Sequence, residues 1–175
     1  MKHAAALTRF AVLGLAFAFG IHSEARAASD AKLSANDRSF ITQATNGGMA
    51  EVEFSKIAMQ SGGSSEVKAY AKRLVDDHMK AGMALEAIAA KLGATPPKPP
   101  AQQPGDLKRF AELSGEKLDK AYIERMVRDH KGTIALFEKQ AKSADAPELK
   151  DFATTTLPTL KEHLKMAMAL AEKKK

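Results

Sequence analysis

Apolar side chains recur along this chain at intervals of three and four residues, the spacing that places them on one face of an α-helix. A Ser-Gly-Gly-Ser break separates the first two helical segments, and Pro147 stands in the first turn of the last one. Asp145 and Glu148 form a capping-box pattern at that start. The pattern predicts an all-α protein with long helices at residues 35–60, 65–92, 115–142 and 147–172.

A proline-rich linker, residues 94–105, separates the second and third long helices, and a short helix is predicted at residues 107–113. Extended proline-rich chain covers about 3.1 Å per residue, and the second helix is about 42 Å long at about 1.5 Å per residue. The linker could therefore run along the bundle and make the second and third helices parallel. The predicted fold is a ferritin-like four-helix bundle with one long crossover. An up-down-up-down bundle with a loose loop is the alternative.

Each long helix carries one polar residue near the middle of its apolar face. Glu51 holds this position in the first helix, and His78, His130 and His163 hold it in the others. All four lie within about one turn of the helix midpoints, so they are expected to meet in one central layer. Residues 69–78 and 121–130 also match at six of ten positions.

Three imidazoles and a carboxylate form a donor set that suits one zinc, iron, manganese or copper(II) ion. Asp77, Asp129 and Glu162 each precede a histidine by one residue, and are candidates to orient the histidines of a neighbouring helix. Tyr122 precedes His130 by eight residues and is a candidate for a hydrogen bond into the layer. The alternative is a buried polar network that fixes helix register without a metal.

Glycine and methionine raise two further questions. Gly47 and Gly48 each cost about 1 kcal/mol inside a helix relative to alanine, and close helix packing is favoured over room for a ligand as the reason. Seven methionines follow the N-terminal segment. Thioethers can bind copper(I), but the scattered positions favour core filling.

The N-terminal segment has the pattern of a secretory signal peptide. Lys2 and Arg9 give a basic start, residues 10–21 are apolar, and Ala25-Arg26-Ala27 supplies a cleavage motif. The 12-residue apolar run is shorter than the roughly 20 residues of a membrane-spanning helix. The prediction is a signal peptide at residues 1–27 and one domain at residues 28–175, periplasmic or secreted after cleavage near Ala27.

Composition narrows the function further. The chain has no cysteine, which excludes disulfides, thiolate metal sites and thiol nucleophiles. Its 27 basic and 21 acidic residues fall to 24 and 20 once Lys2, Arg9, Arg26 and Glu24 of the signal peptide are removed. This mild charge, without a basic stripe that carries stacking aromatics, indicates no nucleic-acid partner. A peripheral association with the cell envelope fits the predicted location.

Five short motifs carry a family resemblance. They are Gly-Gly-Met-Ala-Glu-Val-Glu at residues 47–53, Val-Asp-Asp-His at 75–78, Leu-Asp-Lys-Ala-Tyr at 118–122, Val-Arg-Asp-His at 127–130 and Leu-Pro-Thr-Leu-Lys-Glu-His-Leu at 157–164. With these motifs the sequence resembles the bacterial exported domain of unknown function 4142 family, of the ferritin-like superfamily. The resemblance implies a ferritin-like bundle outside the cytoplasm and brings no established activity.

The sequence departs from the di-iron pattern of ferritin-like enzymes. Those proteins carry Glu-x-x-His on two helices, whereas Val75, Val127 and Leu160 stand three residues before the histidines here. No Gly-x-Ser-x-Gly elbow is present either. Binding is therefore favoured over catalysis. The first hypothesis is an exported protein that binds a transition metal in an envelope or stress-protection role. The second is a structural or interaction module of the envelope whose polar layer is only structural.

Overall fold

The computed structural model describes residues 33–95 and 104–173, which form five helices. The four long helices agree with the predicted ones to within one residue at each end, and the short helix begins three residues earlier than predicted. The all-α prediction is confirmed. The predicted signal peptide, residues 1–27, and most of the proline-rich linker lie outside the described residues. The helices are α1 (Ala35–Ser61), α2 (Ser65–Lys91), α3 (Pro104–Ala111), α4 (Gly115–Ser143) and α5 (Pro147–Glu172).

Local capping explains where the first two helices begin. The hydroxyl of Ser34 accepts the Asp37 N–H at 3.1 Å, and that of Ser64 accepts the Val67 N–H at 3.4 Å. The capping box predicted before α5 is wrong, because Ala146 occupies the N-cap position and no side chain caps it locally. Instead, the Ala146 N–H donates to Asp37 Oδ2 at 2.9 Å, so α1 supplies the polar partner at the start of α5.

Two contacts at opposite ends of the bundle establish the helix directions. Asp119, near the start of α4, accepts the N–H groups of Gly63 and Ser64 at 3.0 and 2.9 Å, in the turn between α1 and α2. At the other end, the contact between Ala146 and Asp37 places the end of α4 beside the start of α1. Consequently α4 runs antiparallel to α1 and parallel to α2. The end of α2 and the start of α4 therefore lie at opposite ends of the bundle, which confirms the ferritin-like arrangement over the up-down-up-down alternative.

Two glycines allow the close contact between the α1–α2 turn and α4. A Cβ atom on Gly63 would lie 3.0 Å from the carbonyl carbon of Gly115, too close for a side chain there. Gly115 itself has a φ of +59°, a left-handed conformation that glycine adopts without strain. This junction fixes the position of α4 along the bundle axis relative to α1 and α2. It therefore also determines which layer of the bundle each residue of α4 occupies.

The bundle has two apolar clusters with polar residues between them. One cluster contains Phe54, Leu74, Tyr122 and Met126, and Phe110 of α3 packs on Phe54 with ring centroids 4.9 Å apart. The other contains Phe40, Leu85, Ala89, Leu149 and a group of phenylalanines that includes Phe137 and Phe152. None of the described helices has an apolar stretch that would cross a membrane.

Candidate metal centre

The layer between the two clusters contains the four residues singled out in the sequence. Glu51 comes from α1, His78 from α2, His130 from α4 and His163 from α5, and all four are buried. Each lies on the helix face that packs inward, because a buried apolar residue stands three or four positions away on the same helix: Phe54, Leu74, Met126 and Leu160. The structure therefore brings one polar side chain from each long helix into a single layer.

The three imidazole rings form a nearly equilateral triangle. Their centroids are 5.6 Å apart for His78 and His130, and 5.4 Å apart for each of the other two pairs. One nitrogen from each ring lies within 4.8 Å of the others. Glu51 completes the layer, since its Oε2 atom is 2.7 Å from His78 Nε2 and 3.7 Å from His130 Nε2.

Four buried atoms of this layer have no hydrogen-bond partner within the described residues. They are Glu51 Oε2, His78 Nε2, His130 Nε2 and His163 Nδ1, one atom from each long helix. The 2.7 Å separation of Glu51 and His78 is short, but the two groups are not aligned for a hydrogen bond. Leaving one buried polar group without a partner costs about 1–3 kcal/mol. Four such atoms in one place therefore indicate a missing polar partner.

The outer nitrogens of two histidines are already hydrogen-bonded, which determines how the rings face the layer. His163 Nε2 donates to Asp77 Oδ2 at 2.8 Å, and His130 Nδ1 donates to the Met126 carbonyl at 3.0 Å. In these tautomers the inner nitrogens, His163 Nδ1 and His130 Nε2, carry lone pairs. Bonding of the outer N–H to a carboxylate or carbonyl is the usual arrangement of metal-ligating histidines.

Burial also favours the neutral form of these rings. Burial lowers the pKa of His163 to about 4, although its hydrogen bond with Asp77 opposes the shift. Burial likewise lowers the pKa of His130, against the attraction of Glu51. For Glu51, burial alone would raise the pKa, but its contact with His78 and the nearby His130 and His163 outweigh burial, so the pKa lies below its usual value. At neutral pH the layer thus combines the ionised carboxylate of Glu51 with the neutral imidazoles of His130 and His163.

This donor set fits a transition-metal ion. Neutral imidazole nitrogens and a carboxylate oxygen are ligands for zinc, iron, manganese and copper(II). Ligands on a tetrahedral zinc ion are about 3.3 Å apart, given bonds of about 2.0–2.1 Å. Small side-chain movements would bring the three nitrogens from within 4.8 Å to that spacing. A metal would also give all four unpartnered atoms a partner at once.

Of the four residues predicted to support the layer, Asp77 is the one that the described residues show hydrogen-bonded to a histidine ring. Asp77 is half-buried and also lies 3.5 Å from Arg73 Nε. Asp129 pairs with Arg125 at 3.1 Å, one turn away on its own helix. The Tyr122 hydroxyl shares a 2.7 Å hydrogen bond with Ser55, one turn along α1 from Glu51.

For Glu162, the described residues show no hydrogen bond or ion pair with any of the three histidines. Residue spacing alone could not show that Asp77, rather than Asp129 or Glu162, would bond to a histidine. That depends on which helix packs against the face carrying each acidic residue. The Met126 carbonyl was not predicted as the hydrogen-bond partner of His130, because no sequence signal identifies a main-chain acceptor.

Two cavities reach the layer from outside. The larger, about 580 Å³, is lined by Gly48, His78, Phe137 and Phe152 among others. The smaller, about 350 Å³, is lined by Asp77, His78, His163 and the threonines at 155, 156 and 159. A Cβ atom on Gly47 would meet nothing within 4 Å, and one on Gly48 would meet only His78 Nδ1, at 3.8 Å. Close packing therefore does not explain the two glycines: Gly47 faces open space, and a Cβ atom on Gly48 would make only an ordinary van der Waals contact with His78.

The helix directions, the crossover and the central layer together define a ferritin-like four-helix bundle with a buried histidine and carboxylate cluster. The model of the family described as domain of unknown function DUF4142 matches residues 22–170, and the chain belongs to this family. No curated protein matches the sequence.

Two crystal structures are similar in fold. One is a DUF305 fragment from Deinococcus radiodurans, 13% identical, with a TM-score of 0.71 over 81% of this chain and 98% of that one. The other is a DUF305 protein from Streptomyces coelicolor, described as a proposed secreted protein, 15% identical, with a TM-score of 0.69 over 81% and 94%. At these identities the likeness extends to the fold alone.

Proposed function

We propose that this protein is an exported ferritin-like bundle that binds one transition-metal ion through Glu51, His78, His130 and His163. One observation supports the proposal: four buried atoms, one from each long helix, meet in a single layer, and none of them has a hydrogen-bond partner among the described residues. The role is binding of the ion, in the cell envelope or in protection against metal stress, rather than turnover.

Elemental analysis tests the metal proposal. The protein, purified without a histidine tag, is loaded separately with zinc, copper, iron and manganese, desalted and measured for bound metal. We expect about one ion per chain for at least one metal. We expect none in the variant in which His78, His130 and His163 are all alanine, and a loss also in His78→Gln, a milder change at the most exposed of the three.

A matched control keeps loss of binding separate from loss of folding. Asp37→Asn alters a buried carboxylate at the far end of the bundle, where Asp37 contacts Gln140 and Ala146. This variant is expected to bind the same amount of metal as the parent protein. Equal metal content in the parent and in His78→Gln, with both proteins folded, would contradict the assignment.

The second function, a structural or interaction module of the envelope, is favoured by one contact. Glu51 Oε2 lies 2.7 Å from His78 and 3.7 Å from His130, so a carboxylate already supplies charge close to two of the rings. A proton on one imidazole would then serve in place of a metal and the layer would only specify helix register. Under this function, chelators leave the melting temperature unchanged.

Export through a signal peptide is the second part of the proposal. It is supported by the sequence pattern of residues 1–27 and by the description of the Streptomyces coelicolor neighbour as a proposed secreted protein. Mass spectrometry of protein from the periplasmic fraction should give a chain that begins at Ala28. Ala27→Lys, which removes the small residue at the cleavage site, should retain residues 1–27. Recovery of only uncleaved parent protein from the cytoplasm would overturn this part.

A further inference from the structure

Methionine has an unusual distribution in this bundle. The exposed large hydrophobic side chains within the described residues are all methionines: Met49, Met79, Met83 and Met168, with exposures of 38, 52, 63 and 49%. Core filling, expected from the sequence, is therefore wrong for these four. Three of them, Met49, Met79 and Met83, line the 580 Å³ cavity, and Met168 does not.

The helical positions bring these three thioethers to one wall of the cavity. Met79 and Met83 are four residues apart on α2, so they lie on the same face of that helix, with Cβ atoms about 5–6 Å apart. Met49 lies on α1, which packs along α2, and it follows Gly48, which lines the same cavity. Glu53, Lys56 and Glu86 also line this cavity, and Glu53 pairs with Lys56 at 2.7 Å. The two carboxylates outnumber the one ammonium group, so a small excess of negative charge faces the cavity where a cation would enter.

The use of methionine at these positions favours a metal over an apolar partner as the ligand of this surface. An apolar docking face needs no sulfur atom, so leucine or isoleucine would serve there equally well. Thioether sulfur is a soft, neutral ligand that favours copper(I) over the harder ions bound by imidazole and carboxylate. Since the chain has no cysteine, methionine is the only sulfur ligand that it can offer to such an ion.

The geometry points to a second metal site, at which Met49, Met79 and Met83 bind copper(I) on the wall of the larger cavity. This site is separate from the Glu51 and histidine layer and uses none of its ligands. It does not depend on the function proposed above. The copper(I) ion is bound without any change of oxidation state, so no electron donor or acceptor is required.

Leucine substitutions test the site because they retain the size and apolar character of methionine and remove only the sulfur. The parent, a variant with leucine at positions 49, 79 and 83, and the control Met168→Leu are titrated with copper(I) under anaerobic conditions against a chromophoric copper(I) chelator. We expect the triple variant to bind copper(I) at least tenfold more weakly and Met168→Leu to match the parent. Equal affinity in the triple variant and the parent overturns the site.

Silver(I), which does not change oxidation state, locates the site within the molecule. In protein labelled with 13C at the methionine methyl groups, silver(I) should shift the signals of Met49, Met79 and Met83 and leave that of Met168 in place. The experiment is repeated with zinc bound in the central layer. Loss of the silver(I) shifts after zinc loading would assign the soft ion to the histidines and overturn the methionine site.

Zinc binding by the triple leucine variant separates the two proposals. The variant retains Glu51, His78, His130 and His163, so it is expected to bind as much zinc as the parent. If it loses copper(I) and retains zinc, both sites stand. If the variant still binds copper(I) as the parent does, the methionine site is wrong whatever the result for zinc. If the parent protein binds no zinc, that result counts against the central layer and not against the methionine site.

Discussion

At the scale of single residues, the direction of each ring in the central layer depends on the partner of its outer nitrogen. Asp77 determines which nitrogen of His163 faces inward, and the Met126 carbonyl does the same for His130. The inner nitrogens are thereby left with lone pairs that no described residue uses. The metal-binding capacity of the layer therefore depends on residues that do not themselves touch the ion.

Asp77→Ala should weaken metal binding without unfolding the protein. The change removes the acceptor of the His163 N–H, so the ring loses both its tautomer preference and its orientation, which typically costs about 10–100-fold in metal affinity. The measurement is competition with a chelator of known affinity. Asp76→Ala is the control, because Asp76 is an exposed neighbour that pairs with Lys72 and touches no histidine. Equal losses in the two variants would show that Asp77 acts only through general charge.

Acid should destabilise the metal-free bundle. Burial holds the pKa of His163 near 4, below its value of about 6.5 in an unfolded chain, and the pKa of His130 is shifted in the same direction. Between these pH values the unfolded state binds more protons, so stability rises with pH and is lost as pH falls from about 6.5 to 4. For His163 the full effect is about 3 kcal/mol.

Urea unfolding of the metal-free protein at a series of pH values measures this dependence. The urea midpoint should fall steadily below about pH 6.5, and His163→Gln should show a shallower fall, because glutamine does not titrate. A midpoint that stays constant from pH 7.5 to pH 4.5 would contradict the neutral, buried state of the rings.

At the scale of helices, buried carboxylates join elements that are far apart in the sequence. Asp37 accepts N–H groups from Gln140 and Ala146, and Asp119 accepts those of Gly63 and Ser64. Each carboxylate supplies partners to groups at a helix end that local residues leave unpaired. Helix ends in this protein are thus stabilised by tertiary contacts as well as by local caps.

Asp119→Ala should destabilise the bundle substantially. The substitution leaves two main-chain N–H groups without their charged acceptor, and hydrogen bonds to charged groups contribute about 1.5–3 kcal/mol each. We expect a loss of about 2–4 kcal/mol in the free energy of unfolding, measured by urea denaturation. Asp145→Ala is the control, since Asp145 is exposed and caps no helix, and it should stay within about 0.5 kcal/mol of the parent. A smaller effect for Asp119 than for Asp145 would contradict this role.

At the scale of the whole molecule, local patterns in the sequence predicted the four long helices and the central polar layer. Apolar spacing gave the helix bounds, the long linker favoured the crossover, and the depth of Glu51 and the histidines along each helix followed from counting residues. The remainder depends on which helix covers which face. Asp77 and Asp129 occupy equivalent places in the repeated motif, yet one faces His163 and the other faces Arg125. The cap of α5 comes from a residue about 109 positions away, which no local motif encodes.

Metal binding should stabilise the whole bundle, because each of the four ligands comes from a different long helix. The ligands are 27, 52 and 33 positions apart in sequence, so an unfolded chain brings them together only at a large entropic cost. An ion that binds the folded state alone adds about 2.7 kcal/mol when its concentration is 100 times the dissociation constant.

For a domain of this size, that stabilisation corresponds to a rise of roughly 5–10 °C in melting temperature. Calorimetry with and without the metal identified by elemental analysis measures it, and EDTA should reverse it. His78→Gln should show a much smaller rise. An unchanged melting temperature in protein that holds one ion per chain would place the ion outside the layer, at a site that the unfolded chain retains, because an ion held between the four helices loses its ligands when they separate.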